Sequence, residues 1–321
     1  MHCTRACIAL LLISAFLAVG PSGAGAPSAS AEVTQGCRER EWGYRCFYGP
    51  FVVTPDTDQA FDFVPTPPEP GYITSMYATL VEPDGDRVPR HAAHLHHVLW
   101  GNPNRQDLTC TTPPFDRFDR FFATGKERTR IELPDGYGYY WDALPPPGYP
   151  DVPPTWVMAH HIMGMHEGLE QEVFVRFDIG FTPESEASLT DIVPLWLDVD
   201  NCGDSEYDVA RGSGTDGIHE QTWDYTMPIG GELIALGGHL HDGGIKLRLD
   251  NLTKDRKMFV SRAVYRDEPG WDLRRMTSWA GVPGRHVDAG DELLLRSFYD
   301  DSRNRRGAMG IMIGALVPSM D

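Results

Sequence analysis

Helical periodicity is almost absent from this chain of 321 residues. Beyond residue 20, apolar positions do not recur at three- and four-residue spacing, which excludes a helix bundle or a doubly wound α/β fold. Lysine is nearly missing: Lys126, Lys246, Lys254 and Lys257 are the whole set, and arginine supplies the other basic groups, a bias that points to a GC-rich bacterial coding sequence. With 28 basic against 46 acidic residues the formal charge is −18, which argues against nucleic acid or an anionic membrane as partner. No Cys-x-x-Cys occurs, and no apolar run reaches the ~20 residues that span a bilayer.

The longest apolar run, residues 6–20, follows a short basic start and precedes a Pro/Gly/Ala/Ser stretch ending in Ala29-Ser30-Ala31. That pattern reads as an export signal, residues 1–31, cleaved near Ala31–Glu32 to leave a secreted protein with no stable membrane insertion. Cys37, Cys46, Cys110 and Cys202 then remain, and an even count in an oxidising compartment favours disulfides over thiolate metal ligation. Cys37 and Cys46 enclose a short loop and form the preferred pair. Cys110 with Cys202 follows by elimination among the three possible pairings.

What replaces helical pattern is a succession of short β-branched and aromatic segments between Gly, Pro, Asp and Asn clusters. Residues 72–80, 95–100, 128–133, 156–165 and 173–181 read as strands of a first half. Residues 192–199, 232–241, 245–250, 258–265, 292–299 and 309–317 read as strands of a second. The expected class is all-β, as two tandem antiparallel, jelly-roll-like sandwiches. The polar segment 182–191 is the candidate boundary, giving domains 32–187 and 188–321. The aromatic "GYGYYW" of residues 136–141 is either a ligand wall or a locally packed loop.

Histidines cluster on the expected strands: His91, His94, His96 and His97; then His160, His161 and His166; then His239 and His241. In a strand, positions i and i+2 share a face, so His239 and His241 can grip one ion together, and so can His94 and His96. His96 and His97 can do so only where the strand is bulged or ends. His166 stands where a strand meets a turn, with His161 as its rival. Met309 opens the last strand, and a thioether suits copper(I) but is a poor ligand for zinc, although buried methionines mostly serve packing.

The order of "His96-His97-Val98-Leu99-Trp100-Gly101", "Met165-His166-Glu167-Gly168", "His239-Leu240-His241" and "Ala308-Met309" resembles the copper type II, ascorbate-dependent monooxygenases, the family of peptidylglycine α-hydroxylating and dopamine β-monooxygenases. The resemblance implies a copper site in each sandwich, facing a cleft. An electron-transfer copper would rest on His96, His97 and His166, and an oxygen-activating copper on His239, His241 and Met309. It further implies dioxygen, an external reductant such as ascorbate, and hydroxylation of a C–H bond in a small organic molecule. Where the peptide-hydroxylating members carry an Arg, an Asn and a Tyr for the substrate carboxylate, this chain has Gly237, Ile311 and Ile313. The loss of that polar grip implies a more apolar substrate. Asp242 is a candidate to orient a ligand ring. The expected form is a monomer. Two rivals stand beside this expectation: an exported copper-binding or storage protein without catalysis, and a zinc hydrolase with Glu167 or Asp242 as general base.

Overall fold

The computed structural model describes residues 32–319, apart from 56–58, 114, 166–169, 204 and 267–271. The expected export signal and three of the named residues, His166, Glu167 and Gly168, therefore lie outside the described residues.

Strands before residue 192 are β1 (Gly36–Arg40), β2 (Gly43–Val53), β3 (Ala60–Val64), β4 (Gly71–Val81), β5 (Ala93–Asn102) and β6 (Asp119–Gly125). They continue with β7 (Arg130–Glu132), β8 (Tyr137–Trp141), β9 (Trp156–Gly164), β10 (Gln171–Pro183) and β11 (Thr190–Asp191). After it come β12 (Val193–Asp198), β13 (Tyr207–Val209), β14 (Ile218–Thr226), β15 (Gly231–Leu240), β16 (Gly244–Asn251) and β17 (Arg256–Tyr265). The last are β18 (Leu273–Met276), β19 (Trp279–Val287), β20 (Glu292–Asp300), β21 (Arg305–Ala308) and β22 (Gly310–Pro318). One 3-10 turn, Phe115–Arg117, is the only helical element among the described residues.

The protein is therefore all-β, and its strands pack in several antiparallel sheets. One sheet runs β1-β2-β10-β4-β8-β11, with β7 also on β4, and a second runs β3-β9-β5-β6. A third runs β12-β22-β15-β19, a fourth β14-β20-β16-β17-β18, and β13 pairs β21. Among the described residues no ladder joins a strand before residue 192 to one after it, and only β8–β11 is parallel. The reason these segments are strands is plainest in β10, where the fully buried Val175, Phe177 and Ile179 alternate with Arg176 and Asp178.

The first two sheets enclose one core, with Trp100, Trp141 and Trp156 at its centre, and the third and fourth enclose another around Leu236, Leu247, Leu295 and Tyr299. Full burial of each large side chain stabilises by roughly 2–3 kcal/mol. A third, smaller cluster joins Ala123 of β6 to Trp196, Met309, Ile311 and Ile313 of the second half. Cys37–Cys46 ties β1 to β2, and Cys110–Cys202 ties the loop before β6 to the turn after β12, across 92 residues of sequence. The segment 182–191, expected as a polar connector, is taken up at both ends by β10 and β11.

Candidate metal centre

β5 lies between β6 and β9, and its register against β9 breaks where the histidines begin: Leu95 faces Ile162, but His97 faces His161. Two residues of β5 thus oppose one of β9, a β-bulge at His96. In a regular strand these neighbouring rings would point to opposite faces. The bulge brings them together instead, with their Nδ1 atoms 3.2 Å apart.

His239 lies near the end of β15 and His241 directly after its last residue, Leu240, two residues apart and so on one face. Nδ1 of His241 donates to the Gly307 carbonyl at 2.5 Å. Nδ1 of His239 lies 2.9 Å from a carboxylate oxygen of Glu127. A carbonyl and a carboxylate only accept, so each ring carries its proton on Nδ1 and keeps a lone pair on Nε2. Both Nε2 atoms are buried and have no hydrogen-bond partner.

Glu127 comes from the tight turn after β6, closed by the Arg128 N–H on the Gly125 carbonyl at 2.9 Å. Its Oε1 also accepts from the Gly125 N–H at 3.1 Å and the Thr129 hydroxyl at 2.8 Å. Burial pushes the Glu127 carboxyl up, but its interaction with His239, together with the hydrogen bonds from the backbone and Thr129, outweighs that and holds the group below its ordinary value. Gly125 is required by space: a Cβ there would lie 2.7 Å from both the His239 ring and the His96 carbonyl oxygen. A further brace is the buried hydroxyl of Tyr299, which accepts the His241 N–H at 2.8 Å and donates to the Met309 carbonyl at 2.7 Å.

In place of an open cleft between the two groups, their rings touch. The centroids of His96 and His241 are 4.2 Å apart, and His97 and His241 are 6.4 Å apart and nearly parallel. His239 is 5.0 Å from His241, and His161 packs at 4.6 Å on His96 and 5.4 Å on His97. Among the described residues, His96, His97 and His241 form the one set of three whose ligand atoms all lie within 4.8 Å of one another. Burial, reinforced by the neighbouring imidazoles, holds His96 and His97 far below the usual histidine range. Burial likewise takes His241 down to about 3, with the neighbouring His239 ring adding to it and the Gly307 carbonyl opposing. These rings are neutral at neutral pH and offer lone pairs.

Met309 is buried on the turn between β21 and β22 and shares a cavity of about 50 Å³ with His97, His239 and Ile311. Parity separates the methionines of this strand: Met312 faces the second core, whereas Met309, Ile311 and Ile313 face β6. A larger cavity of about 480 Å³, mostly apolar, is walled by Gly237, Ile313, Ile131, Tyr139 and Trp279. Of the aromatic segment 136–141, Tyr139 therefore reaches that cavity while Trp141 is buried in the first core.

The remaining expected residues are dispersed. His91 is exposed. His94 lies beside Lys126 and Arg90, away from the three-histidine set, and burial takes it down to about 4. His160 bonds Asp62 at 2.7 Å. Asp242 does not orient a ring, because its carboxylate is held by Lys126 at 2.7 Å and by the Leu273 N–H at 2.8 Å. The ring-orienting carboxylate is Glu127, which the sequence hides among charged neighbours in "GKERT".

No family model matches the chain. Among solved structures it is similar to the infectious bursal disease virus VP2 subviral particle, at 10% identity over 85% of this chain and 71% of that one. The TM-score of 0.24 is too low for that likeness to carry any argument. Curated relatives are more informative. The chain is 27% identical over 287 residues to a protein of Phoma sp. named "probable copper-dependent oxygenase M1", covering 84% of this chain and 68% of that protein. It is 27% identical over 239 residues to "probable copper-dependent oxygenase clz3" of Cochliobolus lunatus, covering 71% of each. Over most of its length, the chain is similar to fungal proteins named as copper-dependent oxygenases.

Proposed function

We propose that this chain is a secreted, monomeric copper monooxygenase that hydroxylates a C–H bond of a small, rather apolar molecule with dioxygen and an external reductant such as ascorbate. The observation that carries this is the meeting of His96 and His97 from β5 with His239 of β15 and His241 just after it, the latter two with buried, unpartnered Nε2 atoms. The similarity to proteins named as copper-dependent oxygenases supports the choice of metal. The donors fit it as well: neutral imidazoles suit both oxidation states of copper, and the Met309 thioether favours the reduced one while serving zinc poorly. The two disulfides fit an oxidising compartment.

In this proposal residues 32–187 and 188–321 act as two domains carrying two copper ions. His96, His97 and His166 serve electron transfer, and His239, His241 and Met309 serve oxygen activation. Copper, when bound, supplies the one-electron chemistry that lets dioxygen react with a C–H bond. One oxygen atom enters the substrate and the other leaves as water, consuming two electrons and two protons.

The chain's own part is positioning. Glu127 and Gly307 fix the ring orientations, and Tyr299 ties the backbone of His241 to that of Met309. Ile311 and Ile313 line the adjoining cavities with hydrocarbon. The 480 Å³ cavity is the substrate site, within the size range of small-molecule pockets. Gly237 on its wall is two residues from His239, about 7 Å along the strand. A zinc hydrolase is disfavoured on Asp242, whose carboxylate is engaged by Lys126 and the Leu273 N–H.

Metal analysis with carbon monoxide binding to the reduced protein tests the proposal. Two coppers and one CO per chain, with oxygen-dependent consumption of reductant coupled to a hydroxylated product, are expected. A protein that takes up no copper, or that binds copper and consumes no oxygen with any reductant, is not this enzyme.

A further inference from the structure

We infer that the molecule taken by the 480 Å³ cavity is a flat, uncharged ring system, seated on a floor of alanine and glycine that leads along β15 to His239. This rests on the copper-oxygenase reading above and names the class of substrate for that site.

Strand parity and register build the floor. Ala235, Gly237 and His239 alternate along β15 and so share one face of the third sheet. Ala235 is opposite Ala315 of β22 on one side and Ala280 of β19 on the other. Three adjacent strands therefore present a row of methyl groups, about 10 Å wide. Two residues further on, Gly237 has no side chain, and a Cβ built there meets nothing nearer than 3.8 Å. Its partner on β22, Ile313, stands beside it as a bank. The floor is thus broad at the alanine row and narrows at Gly237. His239 lies about 13 Å along the strand from Ala235.

The opposite wall suits the same shape. It includes Phe121 of β6 and Tyr139 of β8, whose rings stack on each other at 4.8 Å with an interplanar angle of 10°. The Tyr139 hydroxyl is engaged by Asp119, so the ring is what this residue offers the cavity. Among the described residues, the charged groups on the lining are Arg130 and Glu132, both exposed and paired with each other at 3.4 Å. A charged substrate would lose its hydration here and find no free counter-ion.

Molecules of different shape meet this space differently. A planar ring system lays one whole face on the methyl row and gains contact from every ring atom. A cage of equal carbon count touches the floor at a few atoms. A single chain covers one strand of a floor three strands wide. A flat body on the alanine row extends its edge over Gly237, and that edge carries the C–H bond nearest His239.

Equilibrium dialysis of the full-length protein, incubated with copper(II) and no reductant, compares three alcohols of equal carbon count: naphthalenemethanol, adamantanemethanol and undecanol. Naphthalenemethanol is expected to bind at least about 10-fold more tightly than either of the others. Ala280→Leu and Ala315→Leu each raise an isobutyl group from the floor. Each is expected to weaken naphthalenemethanol roughly 10–100-fold with copper stoichiometry unchanged. Ala280 is exposed on an edge strand, so Ala280→Leu folds even where leucine at the buried Ala315 does not. The wild-type ranking needs no variant. Cage or chain binding as tightly as the flat alcohol, or unchanged binding in Ala280→Leu, would overturn the flat slot and leave the copper chemistry standing. The expected ranking in a protein that takes up no copper would overturn the oxygenase reading, and with it the slot as a substrate site.

Discussion

A carboxylate of one half holds a histidine of the other: Oε1 of Glu127, on the turn after β6, lies 2.9 Å from Nδ1 of His239 on β15. Both residues are buried, and Oε1 has two further donors in Gly125 and Thr129. Glu127→Gln keeps the shape and an accepting oxygen but removes the charge that makes His239 a stronger donor to a metal. Copper at His239 is expected to weaken 10–100-fold, measured by competition with a chelator, with little change in melting temperature. Unchanged affinity in both Glu127→Gln and Glu127→Ala would show that the pair is only a packing feature.

Met309 offers the one sulfur in the small cavity beside His97 and His239. Met309→Ile conserves most of the volume and removes the thioether, so the fold is expected to persist with a stability change of less than about 1.5 kcal/mol. Turnover is expected to fall to background while the copper on His96 and His97 remains. Full activity together with two bound coppers in this variant would remove Met309 from the site.

Gly237 tests the substrate cavity separately from the metal. A Cβ built there meets only Ser278 and Thr129, both at 3.8 Å, so a side chain can enter without backbone strain. Gly237→Leu then fills part of the 480 Å³ space. The expected effect is a loss in kcat/KM of roughly 10–100-fold, the scale of a misfit of a few methylenes in an apolar pocket, with copper stoichiometry unchanged. Wild-type kinetics in Gly237→Leu would place the substrate elsewhere.

Strand segments with alternating apolar residues were legible in the sequence, as in Val175 to Ile179 of β10. Others were not, for identifiable reasons. β14, "IHEQTWDYT", is mostly exposed, and β19, "WAGVPGRHV", carries Gly and Pro on an edge strand where the pattern is relaxed. β6, "DRFFATG", is buried throughout, and it opens on the charged Asp119 and Arg120, whose partners Arg105 and Asp107 lie on the preceding loop. At the centre, His239 and His241 follow from strand parity, and pairing His96 with His97 required a bulge that the register against β9 contains. Glu127 and Tyr299 could not be found this way. Their roles depend on contacts across more than 100 residues for Glu127 and 58 residues for Tyr299, whereas Asp242 was conspicuous only because it follows His241.

Asp119 makes the pH dependence of the fold testable away from the histidines. It is buried beneath Tyr139, whose hydroxyl donates to it at 3.2 Å, with Arg105 at 3.5 Å. Burial pushes its carboxyl up to about 7, and Arg105 offsets only part of that. In the unfolded chain the same group titrates near 3.9. Between these values the folded protein holds a proton that the unfolded chain has released, so stability contributed by Asp119 is full below about pH 4 and is lost as pH rises towards 7. One proton over some three pH units amounts to at most about 4 kcal/mol. Asp119→Asn keeps the shape and cannot titrate. The wild type minus Asp119→Asn difference in urea-unfolding free energy is therefore expected to fall steadily from pH 4 to 7 and then level off. A difference that is flat across that window, or that rises with pH, would mean that Asp119 is ionised in the fold and that Arg105 outweighs its burial.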